Sequence, residues 1–183
     1  MLTRFAIEVT TITSRGEYSF ADTAYVVEYN EGYDRLRTDS IPRITWASEQ
    51  DAINYIEELP VARVGKFTKS HTYEVEAIDY THANHNGYSD TTPFEIVRAV
   101  SDKTIELRSM TAERAADWKP KIVAGGYAGH CTNNGNQSKA WVIKSDPEGY
   151  TVRARLQKDG SWKSSHGRHS LHTAAIKKYD YNF

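Results

Sequence analysis

Seven histidines are the first residues in this 183-residue chain that suggest chemistry. HANH contributes His82 and His85, and HGRHSLH contributes His166, His169 and His172. His130 precedes Cys131, the only cysteine. Zinc takes four tetrahedral ligands, usually from tight pairs of residues, and no acidic pair at ligand spacing accompanies these histidines. A gap of three suits one helix face, but Gly167 and Ser170 make 166–172 a poor helix. On a strand, His166 and His172 share a face and His169 points away. These residues therefore read as surface and loop histidines, with no metal and no cofactor expected. A metal-dependent hydrolase built on the clusters is the alternative.

Cys131 beside His130 is not a nucleophile–base dyad. Sequence neighbours point apart, and a thiolate needs its base across a hydrogen bond. A lone cysteine is more often a small buried hydrophobe. The glycines of GGYAGH (Gly125, Gly126 and Gly129) have the backbone freedom to wrap an anion. The stretch lacks the G-x-x-x-x-G-K-[ST] pattern, and no good helix follows it. It reads as a crossover between strands, and His130 is its one candidate contact residue.

The basic C-terminal segment carries more weight. Residues 1–118 hold 12 Lys+Arg against 20 Asp+Glu, whereas residues 119–183 hold 11 against four. Such asymmetry points one end of the chain at an anionic partner. In YTVRARL, Val152, Ala154 and Leu156 face one way, and Arg153 and Arg155 face the other. Lys158 and Lys163 bracket an Asp-Gly turn beside Trp162, and Arg168 follows. Cations interleaved with aromatics suit phosphate contacts plus base stacking. They also suit an acidic protein partner, where Trp and Arg are frequent anchors. A net charge of −1 argues against strong non-specific nucleic-acid binding, so a protein partner is preferred.

The elements that must position these residues are mostly strands. RFAIEVTTI (4–12) alternates, with Phe5, Ile7 and Val9 on one face. TAYVVEYN (23–30) follows a connection containing Gly16 and places Tyr25, Val27 and Tyr29 together. SEQDAINYIEELP (48–60) is a helix: Ser48 caps it, Glu49 and Asp51 suit its positive end, and Ala52, Ile53, Ile56 and Leu59 form its stripe. Pro60 ends it. Residues 1–66 are thus expected to form a ββα module, with a boundary in 61–70.

Residues 67–183 read as strand and turn. Strand 71–80 is expected to open a barrel, with 81–92 as its long first loop. Hairpins are expected at SDK (101–103), at PEG (147–149) and at the Asp-Gly turn. AERAADW (112–118) reads as a helical turn or two. The fold class is α+β, mostly β, with a strongly bent antiparallel barrel of SH3-like type and an OB-like barrel as the alternative.

Residues 71–183 resemble a family of small tailed-bacteriophage proteins. The resemblance rests on GYSDTTPFEIVRAVSDKTIELRSM, WKP followed by GGYAGHC, KDGSW and YDYNF. It implies phage origin and action in the bacterial cytoplasm, and it carries no catalytic signature. No apolar run approaches the roughly 20 residues that cross a bilayer, and the alternating start is unlike a signal peptide. The expected function is that of a non-enzymatic accessory protein binding a host bacterial protein or complex, anti-CRISPR-like, through Arg153, Arg155, Lys158, Trp162, Lys163 and Arg168. Competing with it are a nucleic-acid or nucleotide-binding module and a virion or assembly component.

Overall fold

A computed structural model describes residues 1–15, 18–30, 35–40, 42, 44–63, 68–124 and 130–182. The connection at Gly16, residues 64–67 of the 61–70 boundary, and Gly125, Gly126 and Gly129 lie outside them. The chain is mostly β and divides into two compact units, Thr3–Asp79, and Tyr80–Phe183 together with Met1–Leu2.

In the first unit, β1 (Leu2–Arg15) and β2 (Tyr18–Asn30) pair as a long antiparallel hairpin, joined by β3 (Arg35–Asp39), β4 (Ala62–Arg63) and β5 (Thr68–Tyr80). The sheet order is β3-β2-β1-β5-β4. Residues 71–80 therefore belong to this sheet and not to the barrel. Their alternating pattern set the strand, but pairing with β1 set its address, and pairing is not local information.

Helix α1 (Glu49–Ile56) starts where expected, with the Ser48 hydroxyl accepting from the Asp51 amide at 3.2 Å. Such a cap contributes about 1 kcal/mol. Ala52 and Leu59 pack with Ile7, Val9 and Val26, and Ile56, Trp46 and Tyr73 border this core. Two expected stripes shift. Ile53 is exposed, and β2 buries Val26 rather than the face of Tyr25 and Val27. A register break between Val26 and Glu28, where β3 pairs, interrupts simple alternation there.

The second unit contains β6 (His82–Asn86), β7 (Thr91–Thr92), β8 (Phe94–Ser101), β9 (Thr104–Ser109), β10 (Thr111–Arg114), β11 (Trp141–Lys144), β12 (Thr151–Leu156), β13 (Trp162–Ser164) and β14 (Gly167–His172). The order β14-β13-β12-β9-β8-β6, with β14 pairing back onto β6, closes a six-stranded antiparallel barrel. Phe94, Ile96, Ile105, Leu107, Ala154, Trp162 and His169 are among the buried side chains of its strands. Apolar burial of this kind contributes roughly 1.5–3 kcal/mol per large side chain.

Residues 81–92, expected as a loop, instead supply β6 and β7. The SDK and Asp-Gly hairpins form as expected. The PEG turn makes no hairpin: β11 pairs with β10, while β12 pairs with β9 and β13. Consequently 111–114 is a strand where a helical turn was expected. Four cross-strand pairs with β11 outweigh the mild helix preference of Ala and Glu.

Candidate interaction face of the barrel

Strand alternation places Ala154 inside the barrel and Arg153 and Arg155 outside, as the sequence implies. Register then decides which cations meet. Arg155 stands opposite Lys163 and Lys163 opposite Arg168. Directly opposed residues share a face, with Cβ atoms about 4.5–5.5 Å apart. Three exposed cations therefore occupy one cross-strand row over β12, β13 and β14. Among the described residues neither Arg155 nor Lys163 has a carboxylate partner, and Arg168 meets Asp159 at 3.2 Å. Two hydrogen bonds from Ser161, followed by the charge of Arg168, hold the Asp159 carboxyl below its usual range, so it is ionised.

The same row continues past Arg168. Asn86 is opposite Arg168, Thr91 is opposite Asn86, and Lys178 bridges to Thr91. Between β6 and β7, the turn at 87–90 is closed by the Gly87 amide on the Asp90 carbonyl at 2.9 Å, and it presents a fully exposed Tyr88. Sequence reading misses Tyr88, because nothing local brings the 87–90 turn to this row, and Lys178, one of the C-terminal cations, enters the row only through its bridge to Thr91. The turn residues of NGYSD are the available signal.

The other expected residues are placed differently. Arg153 lies opposite Glu106, whose carboxylate also takes Arg98, at 3.7 and 3.1 Å respectively. Lys158 is exposed in the Asp-Gly turn. Trp162 is 3% exposed and belongs to the core. Trp162 and Lys163 are strand neighbours, so once Lys163 points out, Trp162 must point in. His130 sits in the crossover, where its carbonyl accepts from the Val123 amide at 2.9 Å, and it does not join the row.

That crossover has a clear structural role. Gln137 and Asn134 hold the chain end: Asn134 Nδ2 donates to Asp180 at 2.9 Å, and its Oδ1 accepts from the Tyr181 amide at 3.1 Å. Cys131 is buried, its amide donates to Asn182, and its thiol faces Asn133 at 3.3 Å. The thiol's partner is thus an amide oxygen rather than an imidazole.

The histidines are paired by register. His169 lies opposite His85 inside the barrel, and His172 lies opposite His82 outside. The Ala83 carbonyl can only accept, so His169 Nδ1 carries the proton at 3.1 Å, and the Ser164 hydroxyl donates to Nε2 at 2.8 Å. Burial, then the nearby charges of His85 and His166, hold His169 below its usual range. Among the described residues, no three His, Cys, Asp or Glu side chains come together as metal ligands.

The chain is thus a mostly β protein whose second unit is a small closed antiparallel barrel with a cationic row on its outside. No family model matches it, and no curated protein or solved structure matches it. Among the described residues, no helix is long and apolar enough to cross a membrane.

Proposed function

We propose that the protein is a non-enzymatic accessory protein of a tailed bacteriophage. Its barrel docks on an acidic surface of a host bacterial protein in the cytoplasm. The target is a component of a defence complex, and the effect is steric, as in anti-CRISPR action. The observation behind this reading is the Arg155–Lys163–Arg168 row. Like charges placed directly opposite one another destabilise a sheet. A row that keeps three of them exposed is suited to an anion supplied from outside. The resemblance of residues 71–183 to phage proteins supports the host context. Tyr88 adds an aromatic anchor at one end of the row, a residue type that dominates protein interfaces.

A polynucleotide would meet the same cations. With Trp162 in the core, however, no aromatic ring interleaves the three cations, and Tyr88 at the end of the row is left as a single ring where base stacking uses successive ones. Protein recognition is therefore the better fit.

The test is recovery of tagged protein from infected bacteria, followed by rebinding of the purified partner. A folded Arg155→Glu/Lys163→Glu/Arg168→Glu variant should lose at least tenfold in affinity. Full retention of the partner by that variant would sink the assignment of this face. A partner that proves to be nucleic acid, released steeply by salt, would replace the protein reading with the polynucleotide one.

A further inference from the structure

We propose that His82 and His172 form a two-imidazole clip for a borderline divalent transition-metal ion, Cu2+, Ni2+ or Zn2+, across the seam that closes the barrel. The site is independent of the cationic row and of its partner.

The two histidines are direct cross-strand partners on the outer face of β6 and β14, and both are half-buried. Opposed Cβ atoms about 5 Å apart allow two imidazole nitrogens to reach one ion. The tautomer of His82 is set by its surroundings. The Thr81 hydroxyl donates its only proton to the Thr173 carbonyl at 2.9 Å. Toward His82 it can therefore only accept, so Nδ1–H of His82 donates to it at 2.8 Å. Nε2 is left with its lone pair, which is the state a metal ligand needs. Orientation of a ligating histidine through its other nitrogen is the usual supporting arrangement at metal sites.

Thr81 and Thr173 directly adjoin the two histidines in sequence, so this bracket ties both strand ends to the site. Burial lowers the affinity of both imidazoles for protons, although the Glu95 charge and then a hydrogen bond from the ring to the Thr173 carbonyl partly oppose this at His82. Neutral imidazoles are the metal-binding form. Glu95 lies opposite His82 on β8, but its Oε1 already takes Arg108 at 2.7 Å and Ser145 at 2.8 Å. The protein thus offers two nitrogen ligands, and water completes the shell. Nitrogen donors of this kind favour Cu2+, Ni2+ and Zn2+ over Mg2+.

Metal-free protein is titrated with NiCl2 and with MgCl2, and binding and the thermal midpoint are followed. Ni2+ should bind at one site and raise the midpoint, and Mg2+ should do neither. His82→Asn and His172→Asn should each lower Ni2+ affinity at least tenfold, while His130→Asn leaves it unchanged. Undiminished Ni2+ binding in both seam variants would overturn the proposal. If the variants do not fold, wild-type protein decides. Substoichiometric Cu2+ should broaden the ring proton signals of His82 and His172 first, and selective broadening at other histidines would overturn the clip.

Discussion

Gln137 grips the backbone of Tyr179 from both sides: its Nε2 donates to the Tyr179 carbonyl at 2.6 Å, and its Oε1 accepts from the Tyr179 amide at 3.0 Å. The same Oε1 also takes the Trp141 indole at 3.2 Å. Gln137 is 6% exposed, so these groups have little water to turn to when it is removed. Gln137→Ala should cost about 1–3 kcal/mol of stability. Urea unfolding measures the loss, and faster amide exchange at Tyr179 and Tyr181 should localise it. An unchanged unfolding midpoint would show that the chain end does not depend on this grip.

Lys163 lies between Arg155 and Arg168 in the cationic row. Lys163→Glu replaces two repulsive neighbours with two attractive ones. It should stabilise the isolated protein by about 0.2–1 kcal/mol while weakening binding of the acidic partner. Opposite signs for stability and binding would mark this residue as kept for recognition. Thermal melts in low salt measure the first effect, and the gain should shrink as salt rises. A melting point that falls would mean that the three cations do not repel one another.

What the sequence made legible was local. Alternation identified Phe5, Ile7 and Val9 as one face and Arg153 and Arg155 as another, and Ser48 marked the start of the helix. Strand addresses were not legible. The alternation of β5 suits a barrel strand as well as the first sheet. The residues of β6 resemble a loop, because HANHN has no apolar alternation and is held by its partners β14 and β8. The histidine pairs have the same origin. HANH places His82 and His85 on opposite faces, and only the β14 register shows that each meets another histidine. The crossover TNNGNQ reads as a polar loop until residues 179–182 are laid beside it.

His169 makes barrel stability depend on pH. An unfolded histidine takes up its proton near 6.5, and in the fold His169 does so at lower pH because it is buried and faces His85 and His166. Between those two values the unfolded chain holds more protons, so stability rises with pH. The contribution is present above about pH 6.5 and is lost as pH falls through the folded value. Melting points measured between about pH 7.5 and pH 5 should drop in the wild type, and His169→Gln should drop less over the same interval. An equal drop in both would assign the acid sensitivity to other groups.

Gly149 is required by close approach rather than by an unusual backbone angle. It lies in the PEG turn that carries the chain from β11 to β12, and its amide donates to the Asp146 carbonyl at 2.9 Å. A Cβ at this position would collide with the Ser109 carbonyl oxygen and crowd the Ser109 hydroxyl. The neighbouring Ser109 amide is fixed on the Tyr150 carbonyl at 3.0 Å, so the backbone there has little room to yield. Gly149→Ala should therefore destabilise by about 1–3 kcal/mol, the cost of overpacking. Glu148→Ala, in the same turn but exposed, should stay within about 0.5 kcal/mol of wild type. Paired denaturant titrations separate the two, and equal midpoints would show that the turn relaxes around the added methyl group.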